Sequence, residues 1–251
     1  VEYERWAPLF EQIRASLGFD WDRERAAAAV LKGLLPRGAG RDPDSRIGRR
    51  LGGRTAVVVG LAPRAGPPPI WRLPNREIAP AIVAADGATA RCLEASLVPD
   101  VIATDLDGPV ASELSANTAG ALVVVHAHGD NVEALRQWVP ELRGEVVGSW
   151  SGAPDPPLID PGGFTDGDRG AYLAEAAGAR EILLWGFDLR NVDPQEPDPE
   201  RKRTKLRWAE RSLGLLAEAA PGRLFRWERD GRILPYPSGS GTPIGSGPET
   251  Q

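Results

Sequence analysis

The sequence predicts an α/β fold, a mostly parallel sheet flanked by helices and preceded by an N-terminal helical pair. Three observations carry this reading. Six short runs, 55–60, 81–85, 98–104, 121–126, 145–149 and 181–186, are almost continuously apolar. Strands buried on both faces have that character, whereas half-exposed strands alternate. Helix-like segments fall between the runs, and strands alternating with helices form parallel sheets. A chain of 251 residues, 41% of them apolar, can also bury a substantial core.

The elements follow in order. Tyr3, Trp6, Leu9, Phe10, Ile13 and Leu17 recur at helical spacing, and Gly18 follows as a C-terminal cap. A second helix starts after Asp20 and runs through the alanine-rich stretch to Leu35. Residues 36–53 collect proline, glycine and arginine with few apolar positions, which predicts a linker or exposed loop. Later, Val132, Leu135, Trp138, Val139 and Leu142 mark one helix, and Tyr172, Leu173, Ala176 and Ala177 mark another. A last helix is expected over 199–219, then an edge strand at 224–228. Residues 235–251, rich in Pro, Gly, Ser and Thr, read as a disordered tail. The expected organisation is therefore a helical segment and linker (1–53), an α/β catalytic domain (54–234) and a tail.

Composition narrows the chemistry. Thirty basic residues stand against 35 acidic ones, and no long basic block is present, which argues against nucleic acid as a partner. No stretch nears the roughly 20 apolar residues of a membrane span, and Glu2, Glu4 and Arg5 occupy positions where a signal peptide would be apolar. Cys92 is the single cysteine, so an internal disulfide is impossible and a reducing, cytoplasmic setting is expected. Both histidines lie in His126-Ala127-His128, too few for a His/Cys zinc site. A metal here would be a hard cation held by carboxylates.

In an open parallel sheet ligands bind beyond the carboxyl ends of the strands. Asp86-Gly87 follows the second run, Asp105-Leu-Asp-Gly108 the third, and His126-Ala-His-Gly-Asp-Asn131 the fourth. A proline-rich loop and then Gly162-Gly-Phe-Thr-Asp-Gly-Asp-Arg169 follow the fifth, and Gly186-Phe-Asp188 the sixth. Period-two geometry presents Asp105 with Asp107, and His126 with His128. Two converging carboxylates repel unless protons or a cation intervene, and magnesium suits a few carboxylates with phosphate oxygens. Asp-Leu-Asp-Gly is equally the composition of a plain turn. The histidines fit a base, a ligand contact or a brace for the aspartates. Asp130 or Asn131 can cap a following helix, as can Thr165 and Asp166, and a helix start there also offers N–H groups to an anion. The densest cationic run, 201–208, contains Lys202, Lys205 and Arg207; such runs are usually solvated helix faces, but this one is a source of positive charge for phosphates.

Four strings, Ala103-Thr-Asp-Leu-Asp107, Val125-His-Ala-His-Gly-Asp-Asn131, Gly162-Gly-Phe-Thr-Asp-Gly-Asp-Arg169 and Lys205-Leu-Arg-Trp-Ala-Glu-Arg211, resemble the archaeal-type 6-hydroxymethyl-7,8-dihydropterin pyrophosphokinases. Tyr3-Glu-Arg-Trp6 and Leu17-Gly-Phe-Asp20 resemble the start of that family, so the similarity covers most of residues 1–215. The resemblance implies a fold like the thiamine pyrophosphokinase catalytic domain. It also implies diphosphate transfer from ATP to the alcohol of a reduced pterin, with Mg2+, in folate or methanopterin biosynthesis. Under it, Asp86 with Gly87, Asp105 and Asp107 become the metal and nucleotide side, with Asp105 and Asp107 as metal ligands and, with His126 and His128, as catalytic residues. Asp130 and Asn131 line the same edge, Thr165, Asp166 and Asp168 form a second wall, and Lys202, Lys205 and Arg207 face phosphates.

One string departs from that pattern. The family's Gly-x-Gly-Pro-Ser turn after the first core strand reads here Gly60-Leu-Ala-Pro-Arg64, which predicts a first loop less open to phosphate at Ala62. The competing expectations are a thiamine pyrophosphokinase-like enzyme, a metal-dependent nucleotide-sugar glycosyltransferase, and a nucleotide-binding member without turnover.

Overall fold

The computed structural model describes residues 1–36, 42–62, 65–70, 73 and 79–238. Helices α1 (Tyr3–Leu17), α2 (Trp21–Leu34) and α3 (Pro43–Leu51) precede strand β1 (Thr55–Val59). There follow β2 (Ala81–Ala85), α4 (Ala88–Glu94), β3 (Val101–Thr104), α5 (Val110–Thr118), β4 (Leu122–Ala127), α6 (Val132–Trp138) and β5 (Val146–Trp150). The chain continues through α7 (Asp166–Ala176), β6 (Glu181–Trp185), α8 (Pro199–Ala219), β7 (Leu224–Trp227) and β8 (Ile233–Pro235). The sheet order is β5-β4-β3-β2-β1-β6-β7-β8, and only β8 runs antiparallel. From β1 the chain moves outward to β5, then returns to β1's other side as β6. A crevice at the carboxyl end of β1, where the strand order reverses, is the place such sheets reserve for ligands.

Both faces of the strands are buried, which is why the runs are continuously apolar. Ala56, Val58, Val83, Ala103 and Val124 point into a core shared with α1, α3, α7 and α8. Val57, Val59, Ile82, Ile102 and Val125 point the other way, into a core that includes α2 residues Ala27, Ala28 and Leu31. The N-terminal pair forms as expected: Gly18 takes the left-handed φ of +71° after α1, and Asp20 caps α2 by accepting from the Asp22 N–H. Trp6 meets Tyr172 of α7 edge-on, ring centroids 5.4 Å apart, so the pair belongs to the same core as the sheet.

Three expectations need correction. Part of the segment read as linker is α3, capped by Asp42 and anchored by buried Ile47 and Leu51. Its apolar stripe is only two residues long, and its arginines hid it: Arg46 donates to the Val146 carbonyl and Arg50 to that of Gly120. Strand β7 is not an edge, because β8 pairs outside it. The start of the predicted tail is ordered, with the Tyr236 N–H donating to Leu224; residues 239–251 lie outside the described residues. Among the described residues no helix is long and apolar enough to cross a membrane.

Candidate active site

The carboxylates gather where β2 and β3 end. Asp86 follows β2 with φ +42°, and Asp105 and Asp107 flank Leu106, which has φ +66°. Left-handed backbone is uncommon for residues other than glycine, and such strain persists only where the surroundings impose it. Here the Leu106 N–H donates to Thr104 Oγ1 (2.9 Å), and the Leu106 side chain is buried in the core. The two aspartates therefore converge through a turn beyond the strand, not through the strand pleat that the period-two reading invoked. Ligand oxygens of Asp86, Asp105 and Asp107 all lie within 4.8 Å of one another. A Cβ at Gly108 would stand 2.3 Å from Asp86 Oδ2, so the loop passes only because that residue is glycine.

Three acids this close divide their protons unequally. Burial opposes ionisation of Asp105, yet the hydrogen bond and charge of His128 outweigh it and bring its pKa down to about 2. Burial, and then the charge of Asp105, push Asp107 up to about 6, with Lys205 opposing. Glu113 of α5, fully buried, is pushed up to about 9 by burial and by Asp86. The donor set is all oxygen and rich in negative charge, which suits a magnesium ion.

The β4 loop braces these acids. His128 Nε2 lies 3.1 Å from Asp105 Oδ2, and His128 Nδ1 faces the Asp130 N–H. Asn131 is buried, donates from Nδ2 to the Asp105 and His126 carbonyls, and accepts the His128 N–H. It holds the two loops together. His126 is buried too: Nδ1 bonds Ser149 Oγ, while Nε2 meets Ser151 Oγ and Arg169 Nη2. Burial, and then the Arg169 charge, depress its pKa well below the usual range. With both nitrogens engaged and its charged form opposed by burial, His126 braces the cavity wall, one of the roles the sequence left open for it.

Opposite stand the start of α7 and one face of α8. Thr165 and Asp166 line the cleft. Among the described residues Asp166 Oδ1 accepts no hydrogen bond, though Arg169 Nη1 stands 3.7 Å from it; burial followed by the Asp105 charge raises its pKa well above normal. Asp168 is not part of the wall. Its carboxylate accepts the Phe164 and Thr165 N–H groups and the Thr165 hydroxyl, a capping box that closes the first turn of α7. Lys202 and Lys205 face the cleft, whereas Arg207 is exposed and donates to Thr204. Asp130 is also outside, in an ion pair with Arg23. Gly87 is the N-cap of α4, and a Cβ there would strike Leu61 at 2.6 Å, so it lets the β1 loop approach Asp86.

Two cavities meet at this edge. One, of about 240 Å³, is lined by Phe10, Phe19, Glu24, Phe164, Arg169 and the acid cluster. The other, of about 320 Å³, runs along the β1 and β6 loops past Gly60, Ala62, Gly186 and Phe187. Asp86, Thr165, Asp166, Lys202 and Leu206 belong to both, so acids and a lysine stand at the junction. In the β1 loop the Ala62 N–H is taken by the Gly186 carbonyl (2.8 Å), and Arg91 donates to the Gly60 carbonyl. Pro63 and Arg64 lie outside the described residues.

Comparison with known proteins decides the family. Residues 48–194 match the family described as 6-hydroxymethylpterin diphosphokinase MptE-like. This chain belongs to that family. A 6-hydroxymethyl-7,8-dihydropterin pyrophosphokinase of Methanothermobacter thermautotrophicus is 34% identical over 90% of this chain and 100% of its own length. Enzymes of the same name from Pyrococcus furiosus (34% over 90% of this chain and 99% of its own) and Methanocaldococcus jannaschii (34% over 75% and 80%) are similar as well. Among solved structures, the MAf glycosyltransferase of Magnetospirillum magneticum AMB-1 matches 76% of this chain and 36% of its own, at 16% identity and a TM-score of 0.47.

Within this MptE-like chain, sequence reasoning missed Phe10 of α1, Glu24 of α2 and Phe19 of the turn between them, which all line the cavity. Glu24 meets the Gly129 N–H across 105 positions of sequence, and no local pattern announces such a contact. Arg169 and Glu113 were missed because helical charged residues read as solvated by default. Arg169 closes the Gly-Phe-Thr-Asp-Gly-Asp-Arg string, and that position was its available signal.

Proposed function

We propose that this chain is an ATP-dependent diphosphotransferase that converts 6-hydroxymethyl-7,8-dihydropterin to its diphosphate and releases AMP, with magnesium as cofactor. The observation that carries the reading is a cluster of three convergent carboxylates where two cavities adjoin, Asp86 and Lys202 lining both and Asp105 and Asp107 the smaller one, in a chain similar along most of its length to pyrophosphokinases. A reaction joining two substrates needs two adjoining compartments, with the charge-stabilising groups between them. The pterin hydroxymethyl oxygen bonds to the β-phosphorus of ATP, the bond from that phosphorus to the α,β-bridging oxygen breaks, and AMP leaves. Such transfers depend chiefly on positioning and on cations at the phosphate oxygens.

Asp86, Asp105 and Asp107 would hold magnesium, which when bound supplies positive charge to phosphate oxygens. His128 keeps Asp105 ionised and oriented. Asp107, which lines the smaller cavity beside Asp105, is the carboxylate placed to take the hydroxyl proton. Lys202 and Lys205 balance phosphate charge from α8, and Asn131 and His126 fix the loops without touching substrate. The deciding experiment supplies Mg-ATP with the dihydropterin alcohol, with thiamine, or with neither, and separates AMP from ADP. AMP with the pterin alone is expected. ADP, or AMP with thiamine only, would overturn the assignment, and retention of a UDP-sugar without AMP would favour a glycosyltransferase.

A further inference from the structure

Glu24 is a charged residue in a place that charged residues avoid. It is 5% exposed, on a helix otherwise packed through alanine and leucine, and its Oε1 accepts the Gly129 N–H at 3.0 Å. Among the described residues no donor is seen for Oε2. A carboxylate is costly to bury unless its lone pairs are satisfied. Glu24 lines the smaller cavity with Phe10, Phe19 and Phe164; the last two rings lie 6.2 Å apart, centroid to centroid. Flat aromatic walls and a half-satisfied carboxylate describe a site for a planar ring that presents hydrogen-bond donors along one edge.

We infer that Glu24 is the specificity-determining residue for the acceptor, receiving the 2-amino and N3–H donors of a 2-amino-4-oxopteridine ring laid among the three phenylalanines. This inference rests on the pterin reading above and assigns its acceptor compartment. Adenine offers an N–H donor beside a ring-nitrogen lone pair, and that lone pair would face the carboxylate. The mismatch sends the ATP base to the larger cavity and leaves this one to the pterin.

Glu24→Gln is the informative variant. Its amide oxygen can still accept from Gly129, but its NH2 group then meets the ring's donors. The probes are 6-hydroxymethyl-7,8-dihydropterin and its 2-oxo counterpart, in which the amino donor is replaced by a carbonyl, with binding measured by calorimetry and turnover by AMP release. The wild-type protein should prefer the 2-amino compound by about 10- to 100-fold, the range for a hydrogen bond to a charged partner. Glu24→Gln should lose that preference while its affinity for ATP and its melting temperature stay put. Equal binding of the two alcohols by the wild type overturns the inference, as does an undiminished preference in the variant. If the variant does not fold, the wild-type comparison decides alone. A wild type that binds neither alcohol and forms no AMP removes the pterin reading as well, whereas AMP formation with an unchanged Glu24→Gln removes only the role of Glu24.

Discussion

Across the cleft from one another, the β2–β4 loops and helix α8 carry opposite charge and are built in opposite ways. Asp86 and Asp105 are each fixed by a side chain, Thr104 and His128, and the loop behind them is laced by Asn131. Lys202 and Lys205 extend from the first turns of α8, and among the described residues neither ammonium has an ion-pair or hydrogen-bond partner. Like charges at close range repel and must be held by the scaffold. Cations that meet a phosphate chain need no such frame, because the ligand supplies the attraction. The acid wall should therefore control the chemical step, and the cationic wall should chiefly control retention of the nucleotide.

The largest effect expected of that difference is on turnover. Asp105→Asn and Asp107→Asn should each lower kcat on the order of 10²–10³-fold, the scale of losing one transition-state charge contact, with little change in melting temperature. Initial rates of AMP release measure it, and full turnover in either variant would break the distinction between the walls. Asn131→Ala acts on the same wall through its frame. Losing three hydrogen bonds, one buried and two partly buried, should cost about 2–3 kcal/mol in stability, as read by urea unfolding. Activity should fall with it, because the Asp105 loop is freed. Lys205→Ala, by contrast, should raise KM for ATP about tenfold and leave kcat within a few-fold.

How much of this was legible beforehand depended on whether the governing contact was local. The continuous apolar runs revealed strands covered on both faces, and the acids after successive runs marked the edge that binds. The Thr165-x-x-Asp168 spacing is a capping-box signature and was available to assign Asp168 to the helix. The roles of His126, Asn131 and Glu24 were out of reach, since each is set by loops brought together from distant parts of the chain. The left-handed turn at Leu106 was equally hidden, because its stability comes from Thr104 and the core below it and not from any preference of leucine.

A pH experiment sharpens the account of the acid wall. Asp107 has a pKa of about 6 in the protein without metal, above its ordinary value. Below that pH it carries a proton, which a divalent cation must displace; above it the carboxylate is already free. Magnesium affinity should therefore weaken by about tenfold per unit as pH falls below 6 and level off above 7. Calorimetry in two buffers of different ionisation enthalpy should detect proton release at pH 5.5 and almost none at pH 8. Release unchanged over that range would remove Asp107 from the ligand set.

The smallest effect belongs to Arg207, and it tests the cationic wall by contrast. Successive helical residues turn by about 100°, so Arg207 stands roughly 200° from Lys205 and on the far side of α8. The structure agrees: its guanidinium is exposed and its neighbour is Thr204. Net charge is the same whether Lys205 or Arg207 is removed, so a general electrostatic attraction for ATP would be weakened equally by both. A site built from one helix face would not. Arg207→Ala should then change KM for ATP by less than about twofold at moderate salt, where charges beyond a Debye length of about 10 Å are largely screened. A tenfold rise matching that of Lys205→Ala would mean that α8 works as a diffuse positive surface and that the lysines' position on it carries no special role.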